Sequence, residues 1–386
     1  MRPTNLMSVV KLFSIASDPR LQRGFSDILS RLIQTKSCLL SEWARSSLCF
    51  GSFIKKTCRF FRNKNCSWNL ESKILALLLP RFENKKFIPV LIDPSFVPNR
   101  YMGAFTKTSS DQTEAKKGFF LFSAALPVKG RAVSFLISCY RYSQITWGCY
   151  ESINTLLGFQ LFKLSLLLKD YQAKAVFIMD RGFGYEYFFE KLTTLKNHFV
   201  VRVRDLNTHV TLLRSGNSLP IKDLIKRVSV KEPILFKIKY KGTIPANLVV
   251  CKKIFNGTIH TWALLTDLDN PEEVIDLYKQ RMKIEEAFKD WKSTGFNIEK
   301  IQIHQWDVLP KLIWCVVLAH FILYLLGETL EKSQTNKNYF KNFIQKKSNL
   351  SLVQLAWKSW RYDPQKIPSL LRSLLFTLNQ NKEVVS

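Results

Sequence analysis

Four residues within DLYKQRMKIEEAFKDWK, from Asp276 to Lys292, are of the types that handle phosphate esters: Tyr278, Arg281, Glu285 and Lys292. A carboxylate can hold a hard divalent cation. A guanidinium fork, an ammonium and a phenol can grip phosphate oxygens. The stretch lacks Pro and Gly and is rich in helix formers, which predicts one continuous helix. At about 100° per residue the four side chains fall within a stripe of roughly 60°. Leu277, Ile284, Ala287, Phe288 and Trp291 gather on the adjoining arc as a buried face. Lys279, Lys283, Glu286 and Asp290 point away from it. The same stripe also describes a surface helix with an Arg281–Glu285 pair contributing a few tenths of a kcal/mol. Glu285 becomes chemically interesting only if the chain brings it further carboxylates.

The composition narrows the partner. Net charge is +28, from 58 Lys and Arg against 30 Asp and Glu, and the basic residues are spread along the whole chain. That implies a polyanion, either nucleic acid or an anionic membrane, and an extended surface suits a phosphate backbone. A hydrophobic fraction of 46% excludes a disordered chain, and 386 residues suggest two or three domains. The eight Cys form no CxxC pair and the five His are scattered, so no zinc site is read; buried free thiols in a reducing cytosol are expected. Lys11, Asp18 and Arg20 interrupt the apolar N-terminus, and no signal-peptide pattern follows. The most apolar run, Leu312 to Leu326, has 15 residues and carries His320. It is short of the ~20 needed to span a bilayer and reads as a buried core helix.

Taken in order, residues 1–82 alternate apolar and basic positions at helical spacing and read as a small basic helical domain, either a DNA-end-binding unit or a scaffold. FIPVLID is a short apolar run ending on Asp93, with DPSFVPNR as a loop. GFFLFSAALPV and RAVSFLISCYR, joined at Lys129-Gly130, read as a β-hairpin. Glu151 to Lys169 is helical, AKAVFIMD is a buried strand ending on Asp180, Tyr185 to Leu195 is helical and His198 to Val203 is a strand. Between 205 and 267 the chain is β-rich: THVTLL, ILFKIKY, NLVVCKK and HTWALLT. Gly295 ends the pattern after the Asp276–Lys292 helix. Glu331 to Asn349 reads as an exposed linker and Ser351 to Leu378 as one or two helices.

The order Y-x2-R-x3-E-x6-K resembles the signature helix of DDE transposases of the IS-four family of bacterial insertion sequences, and DRGFG after the second strand-end Asp is similar to that family's second-Asp motif. Asp93 is followed by Pro94-Ser95 instead of the family's commoner small hydroxyl residue. The resemblance covers roughly residues 87–330 and implies an α/β fold: an RNase H-like mixed sheet flanked by helices, interrupted by a β-stranded insertion, with an N-terminal helical domain. Its parts would be 83–204 and 268–330 for the catalytic core, 205–267 for the insertion and 331–386 for a linker and C-terminal helices. It implies that Asp93 and Asp180 are neighbours at one sheet edge, completed by Glu285. It further implies that Tyr278, Arg281 and Lys292 hold DNA phosphates, and that Trp262 stacks on a base flipped from the element's end.

Three carboxylates suit Mg2+ or Mn2+, with Asp93 bridging two ions and Asp180 and Glu285 each holding one. Arg181 is an outside candidate for a backbone contact. The expected partners are double-stranded DNA, as terminal inverted repeats and target, with a homodimer in the DNA complex, no membrane and a cytoplasmic, nucleoid-associated location. A stand-alone RNase H-like nuclease and a catalytically inactive DNA-binding inhibitor of transposition share many of these features. The first has no need of the β-insertion or the phosphate-holding helix, and the second binds but does not cut.

Overall fold

The computed structural model describes residues 4–13, 15–45, 50–99, 104–105, 116–141, 152–169, 174–184, 186–230, 232–255, 257–292, 295–303, 305–332, 351–362 and 365–383. Its N-terminal segment forms α1 (Thr4–Leu12), α2 (Pro19–Thr35), α3 (Leu40–Ala44), α4 (Phe50–Arg62) and α5 (Glu71–Leu78). The local logic is clearest in α2. The Asp18 carboxylate accepts from the Arg20 N–H at 2.6 Å, Pro19 opens the helix, and Phe25, Ile28, Leu29, Leu32 and Ile33 make its buried stripe.

Next come β1 (Ile88–Pro98), β2 (Ala104–Phe105), β3 (Lys116–Val128), β4 (Arg131–Tyr140), α6 (Ile153–Lys169), β5 (Ala175–Met179), α7 (Glu186–Thr194) and β6 (His198–Arg202). Lys129-Gly130 is the hairpin turn, with Gly130 at φ 73°, a conformation that glycine adopts without steric cost. The strands pair in the order β4-β3-β1-β5-β6, with β1, β5 and β6 mutually parallel and the others antiparallel. Val90, Leu91 and Ile92 are all fully buried, as are Val176 to Met179, so helices cover both faces of this part of the sheet. This is a mixed sheet flanked by helices, consistent with the RNase H-like order.

The β-rich stretch adds β7 (His209–Leu212), β8 (Ser218–Pro220), the short helix α8 (Ile221–Lys226), β9 (Ile234–Tyr240), β10 (Ile244–Phe255) and β11 (Thr258–Thr266). Strand β11 pairs with β6, Leu265 opposite Val201, and the order continues β6-β11-β10-β9-β7-β8. These strands therefore extend the same sheet.

Two local expectations are corrected. Strand β1 does not end at Asp93: it loses its partner β5 after Ile92 but stays paired with β3 as far as Pro98, so PSFVP is strand and not loop. Pro94 falls where β1 has one open side, the place in a sheet where a missing N–H is tolerated. The Asp276–Lys292 helix is two helices, α9 (Pro271–Lys279) and α10 (Met282–Lys292). At the joint the N–H groups of Gln280 and Arg281 reach back only three residues, to Leu277 O at 3.1 Å and Tyr278 O at 3.0 Å. Helix α9 also begins earlier than read, at a complete start signal: the Asn270 side chain accepts from the N–H groups of Glu272 and Glu273, and Pro271 follows it.

The apolar run is longer than expected, forming the 24-residue α11 (Leu309–Lys332). By length and composition it could cross a membrane, but 89% of its apolar window is buried against protein. It packs on β4, on α2 and on the C-terminal helices α12 (Leu352–Tyr362) and α13 (Ile367–Glu383), so the N-terminal helices share one apolar core with the sheet and the C-terminus. The expected linker lies, beyond Lys332, outside the described residues. Cys38, Cys58, Cys66, Cys139, Cys251 and Cys315 are all unpaired thiols, while Cys49 and Cys149 lie outside the described residues.

The contact of α11 with α12 is tight enough to specify glycine. A Cβ on Gly327 would lie 2.2 Å from the Leu352 carbonyl oxygen, whereas one on exposed Gly51 in α4 would meet nothing within 4 Å. Gly327→Ala should therefore cost about 1–3 kcal/mol in urea unfolding. Gly51→Ala should be neutral or stabilising by up to about 1 kcal/mol.

Candidate active site

The parallel register of β1 and β5 places Ile92 opposite Met179, so the next residue of each strand, Asp93 and Asp180, emerge side by side at the carboxyl end of the sheet. The Asp180 Oδ1 accepts the Gly182 N–H at 2.7 Å, capping the turn Arg181–Phe183. A Cβ on Gly182 would crowd that oxygen at 2.9 Å. Arg181 is exposed.

Arg281, at the joint between α9 and α10, reaches both aspartates. Its Nη2 lies 3.6 Å from Asp93 Oδ1 and 3.7 Å from Asp180 Oδ2, while Nη1 pairs with Glu285. One guanidinium thus sits among three carboxylates. Burial pushes the Asp93 carboxyl up to about 7, with Asp180 and Glu285 adding to the rise and Arg281 and Lys292 opposing it. Burial alone would lower the Arg281 pKa, but Asp93, Tyr278, Glu285 and Asp180 together raise it.

Lys292, at the far end of α10, donates to Ser95 Oγ and to the Phe96 carbonyl, both at 2.9 Å. Its pKa is lowered by burial, against the pull of Glu299 and Asp93. Tyr278 is buried, which raises its hydroxyl pKa, while Arg281 and Arg202 work the other way. Its ring meets Trp262 edge-on, with centroids 5.2 Å apart. Trp262 is half-buried in β11 opposite Cys251, with the Lys253 ammonium 5.9 Å from its ring. The structure thus gathers Asp93, Asp180, Glu285, Arg281 and Lys292 around one sheet end, with Tyr278 beside Arg281 and Trp262 attached through Tyr278.

The donor set fits a divalent cation chemically. The oxygens are hard, they converge on one guanidinium, and burial raises the Asp93 carboxyl against the opposing pull of Arg281. Among the described residues no three His, Cys, Asp or Glu donors already stand close enough to enclose an ion. The Arg281 guanidinium takes that centre instead.

What fixes α10 was not visible in the sequence. Asp290, expected on the outward face, is 1% exposed; it accepts from Arg131 Nε at 2.8 Å and faces His320 Nε2 at 3.4 Å. Burial would raise the Asp290 pKa, but His320 and Arg131 outweigh it and hold the carboxyl below its ordinary value. Glu286, also expected in solvent, is half-covered and pairs with Lys289 at 3.0 Å and Arg131 at 3.6 Å. The outward arc failed because α10 is flanked by both the β3–β4 hairpin and α11, so its buried face is wider than one stripe. The available signal was His320, a lone polar side chain in an apolar run, which needs a buried partner. Ser95 and Arg202 were also missed.

Residues 160–322 match the family model of the transposase DDE domain. The span contains Asp180, Trp262, Tyr278, Arg281 and Glu285, and it begins after Asp93. No curated protein matches the chain.

Two measurements test this geometry. Asp290→Ala leaves Arg131 and the buried His320 without their carboxylate and should cost about 3–5 kcal/mol in denaturant unfolding. Between the ordinary 3.8 and about 7 the folded chain keeps a proton on Asp93 that the unfolded chain releases, so stability falls as pH rises through that window. Asp93→Asn escapes the penalty. In metal-free buffer its melting temperature should exceed that of the wild type at pH 8, with the two converging toward pH 4.

Proposed function

We propose that the chain is a DDE transposase of the IS-four type, which cuts DNA at the ends of an insertion sequence and joins the released 3′-hydroxyls to target DNA. The observation that carries this reading is the convergence of Asp93, Asp180 and Glu285 on Arg281, from two adjacent parallel strands and a separate helix. The transposase DDE domain match over residues 160–322 supports it independently.

Asp93, Asp180 and Glu285 would hold Mg2+ or Mn2+, which when bound makes a water or 3′-hydroxyl nucleophilic and stabilises the leaving oxygen. The remaining roles belong to the chain's own side chains. Arg281 transfers its fork from the carboxylates to a phosphate at the cleavage point. Its Nε is buried without an acceptor among the described residues, and a phosphate oxygen would satisfy a donor whose lack of a partner costs about 1–3 kcal/mol. Lys292 is held by Ser95 and Phe96 beside Asp93, where its ammonium meets the same backbone. Trp262 offers a half-open ring for an unpaired base next to Tyr278, a contact contributing about 1–3 kcal/mol and suited to a strained hairpin end. In the N-terminal segment, α4 presents Lys55, Lys56, Arg59 and Arg62 to solvent, and this face would hold the element's terminal repeat. The protein would act as a homodimer, one copy for each end.

The test is cleavage of a labelled duplex carrying the element's own end, in Mg2+ and in Mn2+. Glu285→Gln should lower the rate about 100-fold or more with DNA binding retained, and Glu286→Gln should cut nearly as the wild type does. A wild type that binds the end but never cuts would identify a DNA-binding inhibitor instead. Cleavage without joining of the 3′-hydroxyl to target DNA would identify a nuclease.

A further inference from the structure

Near the first residues of β1, a cavity of about 830 Å³ opens between the sheet, the α9–α10 joint and α11. Pro89 lines it, four residues and about 13 Å of strand before Asp93. Gln280 and Lys283 line it from the joint, whose next residue, Arg281, faces the carboxylates. The cavity and the carboxylate cluster therefore lie on opposite sides of the same joint.

The cavity has a cationic surplus. Its acidic lining residues are all committed: Glu328 is gripped by Arg81 through two contacts of 2.5 and 2.8 Å, Glu273 by Lys86 at 2.9 Å and Asp276 by Lys279 at 2.5 Å. Lys129 leans outward to Glu331. Two ammonium groups remain, those of exposed Lys85 and half-buried Lys283, with no ion pair among the described residues. A partly buried ammonium without a counter-charge is costly, and an anionic ligand removes that cost. The rest of the wall combines apolar Phe87, Pro127 and Leu277 with polar Asn270 and Gln280, and the volume falls within the range of small-molecule sites.

We propose that this cavity binds a nucleotide unit, with its phosphate on Lys283 and Lys85 and its base against the apolar wall. The unit is either a free nucleotide or the phosphorylated end of a strand. The inference goes beyond the transposase reading and does not need the carboxylate site.

The experiment is calorimetric titration of the full chain with inorganic phosphate, with deoxyadenosine monophosphate and with a 5′-phosphorylated single-stranded oligonucleotide. The wild type should bind the nucleotide or the oligonucleotide more tightly than phosphate alone. Lys283→Met should weaken binding about tenfold or more, and Lys283→Arg should restore it. If Lys283→Met melts below the assay temperature, Lys85→Glu, at an exposed position, makes the same test. Preference for the mononucleotide identifies the free ligand and preference for the oligonucleotide a strand end. The proposal is overturned if no probe binds, if Lys283→Met or Lys85→Glu binds as the wild type does, or if Asp93→Asn abolishes binding. A chain that cuts DNA yet binds none of the probes here overturns this proposal alone. One that binds through Lys283 yet never cuts overturns the transposase reading alone.

Discussion

The mutual repulsion of Asp93, Asp180 and Glu285 is the constraint on which the rest of this structure turns. For Asp93 burial is the larger cost, and the two neighbouring carboxylates add to it. The fold answers with one cation, Arg281, shared among all three. Lys292 adds a second opposing charge at Asp93, and burial still raises that carboxyl, the most buried of the three. Such a site is stable enough to fold and still deficient in positive charge, which is the electrostatic condition for taking up divalent cations.

Bringing the three together requires two kinds of element. The aspartates are placed by hydrogen-bonded register, Ile92 against Met179, and cannot drift without breaking the sheet. Glu285 is placed by packing, on a helix that must be held from elsewhere. The hold is at its other end, where Asp290 is locked between Arg131 of β4 and His320 of α11, and where Lys292 is tied to β1. The near end begins at the Gln280–Arg281 joint, where the backbone ladder is tightest and the α-helical pattern lapses. Arg281 thus sits where the backbone hydrogen bonds span three residues instead of four.

Much of this was legible in the sequence, for stated reasons. Short apolar runs ending on Asp, a Lys-Gly turn and helical spacing between them gave the strand succession and put Asp93 and Asp180 at corresponding points. Features set by neighbours were not legible. Strand β1 has two partners that end at different residues, so the apolar run that ends on Asp93 does not show that the strand continues to Pro98. The α9–α10 joint contains neither Gly nor Pro, the residues that punctuate a helix in sequence. Asp290 and Glu286 were assigned outward because one helical stripe was taken as the buried face. A helix wedged between a hairpin and α11 buries more than one stripe, and only the tertiary structure reveals the second contact.

The extended sheet shows how local and long-range requirements meet. Had β7 to β11 formed a separate unit, Trp262 would be tethered to the carboxylates only through flexible chain. Instead β11 is bonded to β6, β6 to β5, and β5 carries Asp180 at its end, so Trp262 is related to that aspartate through strand spacings of about 4.8 Å each. Tyr278 closes the circuit from the other side, with its ring on Trp262 and its chain one turn from Arg281. A base held at Trp262 and a phosphate held at Arg281 would then lie at a separation set by the sheet. The chain's net charge of +28 acts at longer range, since such a charge attracts polyanions to the surface without selecting a bond. A rigid distance between an aromatic ring and three carboxylates is something that charge alone cannot supply.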